Sequence, residues 1–156
     1  GLNSRLDEIQ AAILRVKLPR LDTDNQRRRE IAQYYIKNIR HPDIILPGTR
    51  HPELDELRES ILKSGTLALN PEHVWHLFVI RYQNRDKLQN YLHDNEIQTV
   101  IHYPIPPHKQ LAYKEWNGLN LPVTEKIHRE VLSLPMSQVM TCQEAERVVR
   151  AINNFK

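Results

Sequence analysis

The sequence predicts an α+β fold: a small, largely antiparallel sheet with helices packed on one face. Two long amphipathic helical stretches come before any strand, and the later β-branched and aromatic runs are short and alternate with helical segments. The run at residues 99–101 also stops abruptly in a cluster of prolines. With 156 residues the chain fits one domain, able to bury about two thirds of its unfolded surface. The expected division is a helical interface segment over 1–40 and an α+β sandwich over 41–156.

Asn3 or Ser4 is placed to cap the first helix, with Asp7 and Glu8 in its first turn, where the helix dipole favours acid. Leu6, Ile9, Ile13 and Val16 recur at helical steps until Pro19 stops or kinks the run. A second helix spans about 21–39, with Ile31, Tyr34, Tyr35 and Ile39 on its apolar side and residues 26–30 on its wet side. His41-Pro42-Asp43 ends it, and Ile44-Ile45-Leu46 is a short strand closed by Pro47-Gly48. Over 49–72 the signal is weak: Leu54, Leu57, Ile61 and Leu62 suggest a short helix from near Pro52, with Gly65 as its C-terminal cap. Residues 74–82, aromatic and β-branched, make the best strand, expected at the centre of the sheet.

Asn84 is placed to cap a helix over 85–93 with Leu88, Tyr91 and Leu92 inward. Asp94-Asn95 supplies a turn, since Asn tolerates the left-handed conformation, into a strand over 97–101. Val100 and Ile101 read as its buried part. Pro104, Pro106 and Pro107 forbid its continuation, so the chain leaves the core stiffly at His102 and Tyr103. Gln110 to Tyr113 suggests a helical turn, Thr124 a cap for a helix to about 129, and Val131-Leu132-Ser133-Leu134 a further strand. Thr141 caps the last helix, with Ala145, Val148, Val149 and Ile152 inward. The opening helix pair carries more apolar surface than a small sheet covers, which implies a partner.

Lys plus Arg number 22 against 19 Asp plus Glu, a net +3 with no basic stripe interleaved with aromatics, which argues against a dedicated nucleic-acid binder. Arg27-Arg28-Arg29, with Glu30 after it, reads as a solvated helix face. The one cysteine, Cys142, excludes an internal disulfide and a multi-cysteine zinc site. No apolar run is long enough to cross a membrane, and the cytoplasm is the expected compartment. No glycine-rich loop is present to cradle a phosphate. Because the first residue is Gly1, the chain is expected to be processed, tagged or cut from something longer.

His73 and His76 would point to opposite faces of a strand, which speaks against a shared metal. His102 and His108 flank the rigid proline loop without a third ligand. Cys142 at a helix start has no identifiable base. Asn3 and Arg5 could donate to an anion at a helix N-terminus, although capping explains Asn3 equally well. The pairs Asp7-Glu8 and Glu144-Glu146 sit in helix first turns. The stiff exit at His102 and Tyr103 suits either strand-end packing or a binding surface with little entropy left to lose. Residue spacing alone yields no enzyme.

Several blocks carry a family resemblance. Gly1-Leu-Asn-Ser-Arg-Leu-Asp-Glu-Ile-Gln-Ala-Ala12 resembles the G-x-N-x-R-x-x-x-x-Q-A-A segment of the pyridoxal-phosphate-dependent sugar aminotransferases of the DegT or StrS family. His73 to Arg81, Thr99 to His108 with Gln110, and Leu121 to Glu125 with Glu130 to Pro135 resemble its later blocks in the same order. The resemblance implies the C-terminal portion of a type I aminotransferase fold, without the large domain that holds the Schiff-base lysine. Lys17, Lys109 and Lys126 do not stand in that lysine's motif, so no catalytic residue is assigned and the chain alone is expected to be inactive. It further implies a homodimer in which Asn3, with Arg5 in support, reaches the cofactor phosphate of the neighbouring subunit. His102 and Tyr103, and with less support His108, would lie near the substrate. The implied reaction transfers an amino group, usually from glutamate, to a keto sugar on a nucleotide diphosphate. The His-Tyr-Pro-Ile-Pro-Pro-His wording leans toward C3. Asn95-Glu96 departs from the family by replacing a glycine-containing turn, and Gln138 stands where proline is common. A stand-alone regulatory or nucleotide-sugar-binding module is the competing reading.

Overall fold

The computed structural model describes residues 7–47 and 73–156. The suggested helix with its Gly65 cap, and Asn3 and Arg5, lie outside them.

Helix α1, Glu8–Lys17, starts at Asp7 with Glu8 in its first turn. Pro19 interrupts it as expected: Leu18–Arg20 forms one 3-10 turn and α2, Leu21–Asn38, resumes at once. Among the described residues the periodic face of α1 finds no cover, with Ile9 77 % and Val16 73 % exposed. The second half of α2 does find cover, for Ile31, Ala32, Tyr35 and Ile36 are all buried. The expected wet side of α2 is wet only at Gln26 and Glu30. Arg27 sends Nη2 to the Met140 carbonyl at 2.8 Å, and Arg28 sends Nη2 to Gln138 Oε1 at 2.7 Å. Arg27 and Arg28 therefore tie α2 to residues 136–142, because loop oxygens distant in sequence lie within their reach.

The sheet is built on β1, Phe78–Arg81, and β2, Val131–Leu134, paired antiparallel with Phe78 opposite Leu134 and Ile80 opposite Leu132. Single antiparallel bridges flank the pair, Ile45 to Arg81 on one side and Val100 to Ser133 on the other. All expected strand segments thus take part, in the order Ile45, β1, β2, Val100, and β1 is internal. Three are shorter than their sequences suggest, those at 44–46 and 97–101 reduced to single bridges. Trp75 turns out of the extended region with φ 51, its N–H donating to His73 Nδ1 at 3.0 Å, and its ring sits 5.4 Å from that of Phe78. Val100 is 53 % exposed, not buried, because it lies at the outer edge while Ile97 enters the core.

Helices α2 and α5, Cys142–Asn154, cover the Phe78, Ile80, Leu132 and Leu134 face, with Leu88 and Leu92 of α3, Arg85–Asp94, joining the same core. The Tyr35 ring meets Phe78 edge-on at 5.1 Å, and its hydroxyl donates to the Pro135 carbonyl at 2.9 Å. Burial pushes the Tyr35 phenol up. Thr141 caps α5 in a full capping box: its Oγ accepts from the Glu144 N–H at 3.2 Å, and Glu144 Oε2 accepts from the Thr141 N–H at 2.7 Å. Helix α4, Pro122–Glu130, begins two residues before the expected Thr124 cap, since proline suits the first helical turn, and it runs directly into β2. Short 3-10 turns occupy Pro107–Lys109 and Leu111–Trp116.

The turn after α3 puts Glu96, not Asn95, in the left-handed region with φ 59. The Asn95 side chain instead bonds the Tyr91 carbonyl at 2.8 Å, and Glu96 Oε2 meets Arg147 Nη2 at 2.7 Å. Glycine takes this conformation without the Cβ penalty, so Glu96→Gly is expected to be more stable than Glu96→Ala by about 1 kcal/mol in urea titrations. Equal midpoints would show that no such penalty operates there.

Candidate functional site

The bridge between Val100 and Ser133 sets the site. The two residues exchange backbone hydrogen bonds of 3.3 and 2.8 Å, which carries the chain past the edge of β2. One step beyond half-buried Ile101, the His102 ring lies with Nδ1 2.9 Å from Ser133 Oγ. Tyr103 follows, 67 % exposed, its ring at 90° to His102 with centroids 5.6 Å apart. The peptide joining them is cis. The Tyr103 carbonyl accepts from His128 Nδ1 on α4 at 2.6 Å, which requires the proton to be on that nitrogen.

Pro104, Pro106 and Pro107 then stiffen the chain, and His108 turns inward, only 3 % exposed. Its Nε2 donates to Glu125 Oε1 at 3.0 Å, and the Leu121 N–H reaches the same oxygen at 3.3 Å. The His108 hydrogen bond, followed by that from Leu121, holds the Glu125 carboxyl below its ordinary range. His108 Nδ1 is buried without a partner among the described residues. Lys109 closes the loop from below, its Nζ donating to the carbonyls of Asn117 at 2.8 Å and Leu119 at 3.0 Å.

The structure therefore brings His102 and Tyr103 together at the surface and separates them from His108, which ties the proline loop to α4. The other sequence candidates have local roles. His73 accepts from Trp75, and among the described residues no group of three or more His, Cys, Asp or Glu could hold a metal. Cys142 is exposed at the start of α5, its Sγ 3.6 Å from Arg27 Nη2. Glu144 belongs to the capping box, and Glu146 pairs with Arg150 at 2.9 Å. Lys109 is committed to carbonyls, and Lys126 is 61 % exposed with Glu130 at 3.9 Å. Neither has the enclosed, desolvated amine that imine chemistry at neutral pH requires.

Sequence reasoning passed over Ser133, Glu125 and His128. The signal for Ser133 was available: a hydroxyl in the apolar run Val131-Leu132-Ser133-Leu134 needs a partner if that strand is buried.

Because the folded Glu125 carboxyl sits below its unfolded value, the unfolded state binds more protons at acid pH. The stability this gives is full above the unfolded carboxylate range and is lost as pH falls through the folded value. Glu144 adds the same sign through its bonds from Thr141. Urea midpoints between about pH 3 and pH 6 are expected to fall less steeply with acid in Glu125→Gln than in the wild type. A parallel slope would remove Glu125 from the acid response.

The profile of the DegT/DnrJ/EryC1/StrS aminotransferase family matches residues 1–153. A dTDP-3-amino-3,6-dideoxy-alpha-D-galactopyranose transaminase of Aneurinibacillus thermoaerophilus is 52 % identical over 155 residues, 99 % of this chain and 38 % of that protein. The erythromycin biosynthesis sensory transduction protein EryC1 of Saccharopolyspora erythraea is 42 % identical over 156 residues, 97 % of this chain and 37 % of that protein. The crystal structure of S. venezuelae DesV in complex with a ketimine intermediate superposes with a TM-score of 0.78 at 36 % identity, over 98 % of this chain and 37 % of that one. The chain thus spans well under half the length of these relatives, at most 38 %. Matched along almost its whole length in sequence and in fold, the chain belongs to the DegT/DnrJ/EryC1/StrS aminotransferase family.

Proposed function

We propose that this chain is the C-terminal part of a transaminase that moves an amino group, from glutamate, to C3 of a keto-deoxy sugar carried on a nucleotide diphosphate. The observation that carries the reading is the 52 % identity to a transaminase whose name specifies a dTDP-linked 3-amino sugar. The half-buried His102 and exposed Tyr103, on a loop stiffened by prolines and by the His108–Glu125 and His128–Tyr103 bonds, support it. Such a pair binds with little ordering cost. We assign His102 and Tyr103 to contacts with the sugar nucleotide, and His108 to holding their loop.

The cofactor of this chemistry is pyridoxal phosphate, which carries the amino group between donor and acceptor. Among the described residues no enclosed, desolvated lysine amine is present to take its aldehyde as an imine. The assignment of Asn3 and Arg5 to its phosphate in a neighbouring subunit rests on the family segment alone. The uncovered apolar face of α1 supports 1–40 as an interface segment in a homodimer, and the reaction as a cytoplasmic one belongs to the same reading.

The experiment is glutamate-dependent formation of the amino sugar nucleotide by the complete protein, followed by mass spectrometry. Turnover by the complete protein and none by this chain is expected. Tyr103→Phe and His102→Ala are expected to raise the sugar-nucleotide KM or lower kcat by about tenfold, while Asn3→Ala lowers cofactor occupancy. Wild-type kinetics and occupancy in all three variants would defeat the assignments. The name of the erythromycin relative, a sensory transduction protein, favours a second reading, a regulatory module without catalysis. Absence of turnover by the complete protein with added cofactor would select it.

A further inference from the structure

Ser133 is 4 % exposed, in the middle of a strand whose other side chains are all apolar and buried. Its backbone N–H and carbonyl are both taken by Val100. Its hydroxyl has one side-chain partner among the described residues, His102 Nδ1 at 2.9 Å, from a position 31 residues away in sequence. A serine hydroxyl carries a single proton and spare lone pairs, and a buried donor left without an acceptor is the costlier defect. The hydroxyl therefore donates and His102 Nδ1 accepts. The neutral imidazole then carries its proton on Nε2, and no described residue accepts from that nitrogen. The ring is half-buried and packs edge-on against the exposed Tyr103, so it presents this donor beside a phenol on the same stiff loop.

We propose that Ser133 is a positioning residue that fixes His102 in the Nε2–H tautomer, so that the ring offers a hydrogen-bond donor to an oxygen of the nucleotide-linked sugar. The proposal rests on the function proposed above and adds to it the direction of the hydrogen bond and the residue that sets it. A histidine whose tautomer were free would split its population between donor and acceptor at the reaching nitrogen. A partner fixed in a strand removes that ambiguity without contributing charge.

The test is steady-state kinetics of the complete protein, with the KM for the sugar nucleotide and for glutamate measured separately. Ser133→Ala is expected to raise the sugar-nucleotide KM by about tenfold and leave the glutamate KM unchanged, while Ser133→Thr, which keeps the hydroxyl and suits a strand, restores it. His102→Gln, which removes the ring and its tautomers, should itself raise the sugar-nucleotide KM. Adding Ser133→Ala to His102→Gln should then cost nothing further, because there is no tautomer left to set. A wild-type KM in Ser133→Ala overturns the proposal. An undiminished Ser133→Ala effect in the His102→Gln background also overturns it, since that is the behaviour of a residue supporting only the strand. If the wild-type complete protein shows no turnover, the proposed function falls and this role falls with it. Turnover with an unresponsive Ser133 removes the positioning role alone.

Discussion

The rest of the structure depends on the four-residue antiparallel pairing of β1 with β2. A two-stranded ribbon is marginal in water, so it must bury one face to persist. Side chains alternate, which puts Phe78, Ile80, Leu132 and Leu134 on a single face. That face is where α2 and α5 pack and where Tyr35 delivers both a ring contact to Phe78 and a hydrogen bond to the Pro135 carbonyl. The bridges at Ile45 and Val100 widen the ribbon by one residue on each side. A one-residue slip would turn one strand's faces over and bring Arg81 or Ser133, according to which strand moves, to the core side.

The same alternation equips the opposite face. Arg81 reaches Glu130 through Nη2 at 2.7 Å and Nε at 3.1 Å, fastening the end of α4 across β1. Ser133 holds His102. Polar groups that would be costly in the core thus anchor the two segments, α4 and the proline loop, that shape the candidate site. Breaking either pair by removing one partner strands the other, so these contacts define geometry more than they add stability.

The histidines of this region differ in use because their bonded nitrogens meet different groups. His128 gives its Nδ1 proton to the Tyr103 carbonyl, His108 gives its Nε2 proton to Glu125, and His102 meets the Ser133 hydroxyl through Nδ1. The first two fasten a loop already stiffened by Pro104, Pro106 and Pro107. Tyr103 is left outward-facing on a backbone with little freedom to lose. By contrast, α1 buries no side chain among the described residues. A ten-residue helix in water gains little from its own hydrogen bonds, and its apolar stripe points to cover from outside the described residues.

By itself the sequence determined what rests on contacts a few residues apart. The break at Pro19, the Thr141–Glu144 capping box, the inward face of α5 and the places of the strands follow from proline geometry, cap chemistry and periodicity. The ordered family blocks identified the family as well, while leaving Asn3 and Arg5 without a described position. Tertiary structure decided what depends on residues far apart in the chain. It drew Arg27 and Arg28 toward carbonyls more than a hundred residues away, left Val100 exposed at an edge, and set Glu96 rather than Asn95 at the left-handed position, beside Arg147. It also turned His108 inward and joined Ser133 to His102. The physical reason is one of range: propensity and capping act within a turn or two of the chain, whereas the partner of a buried polar group is whichever group the packed fold brings within about 3 Å.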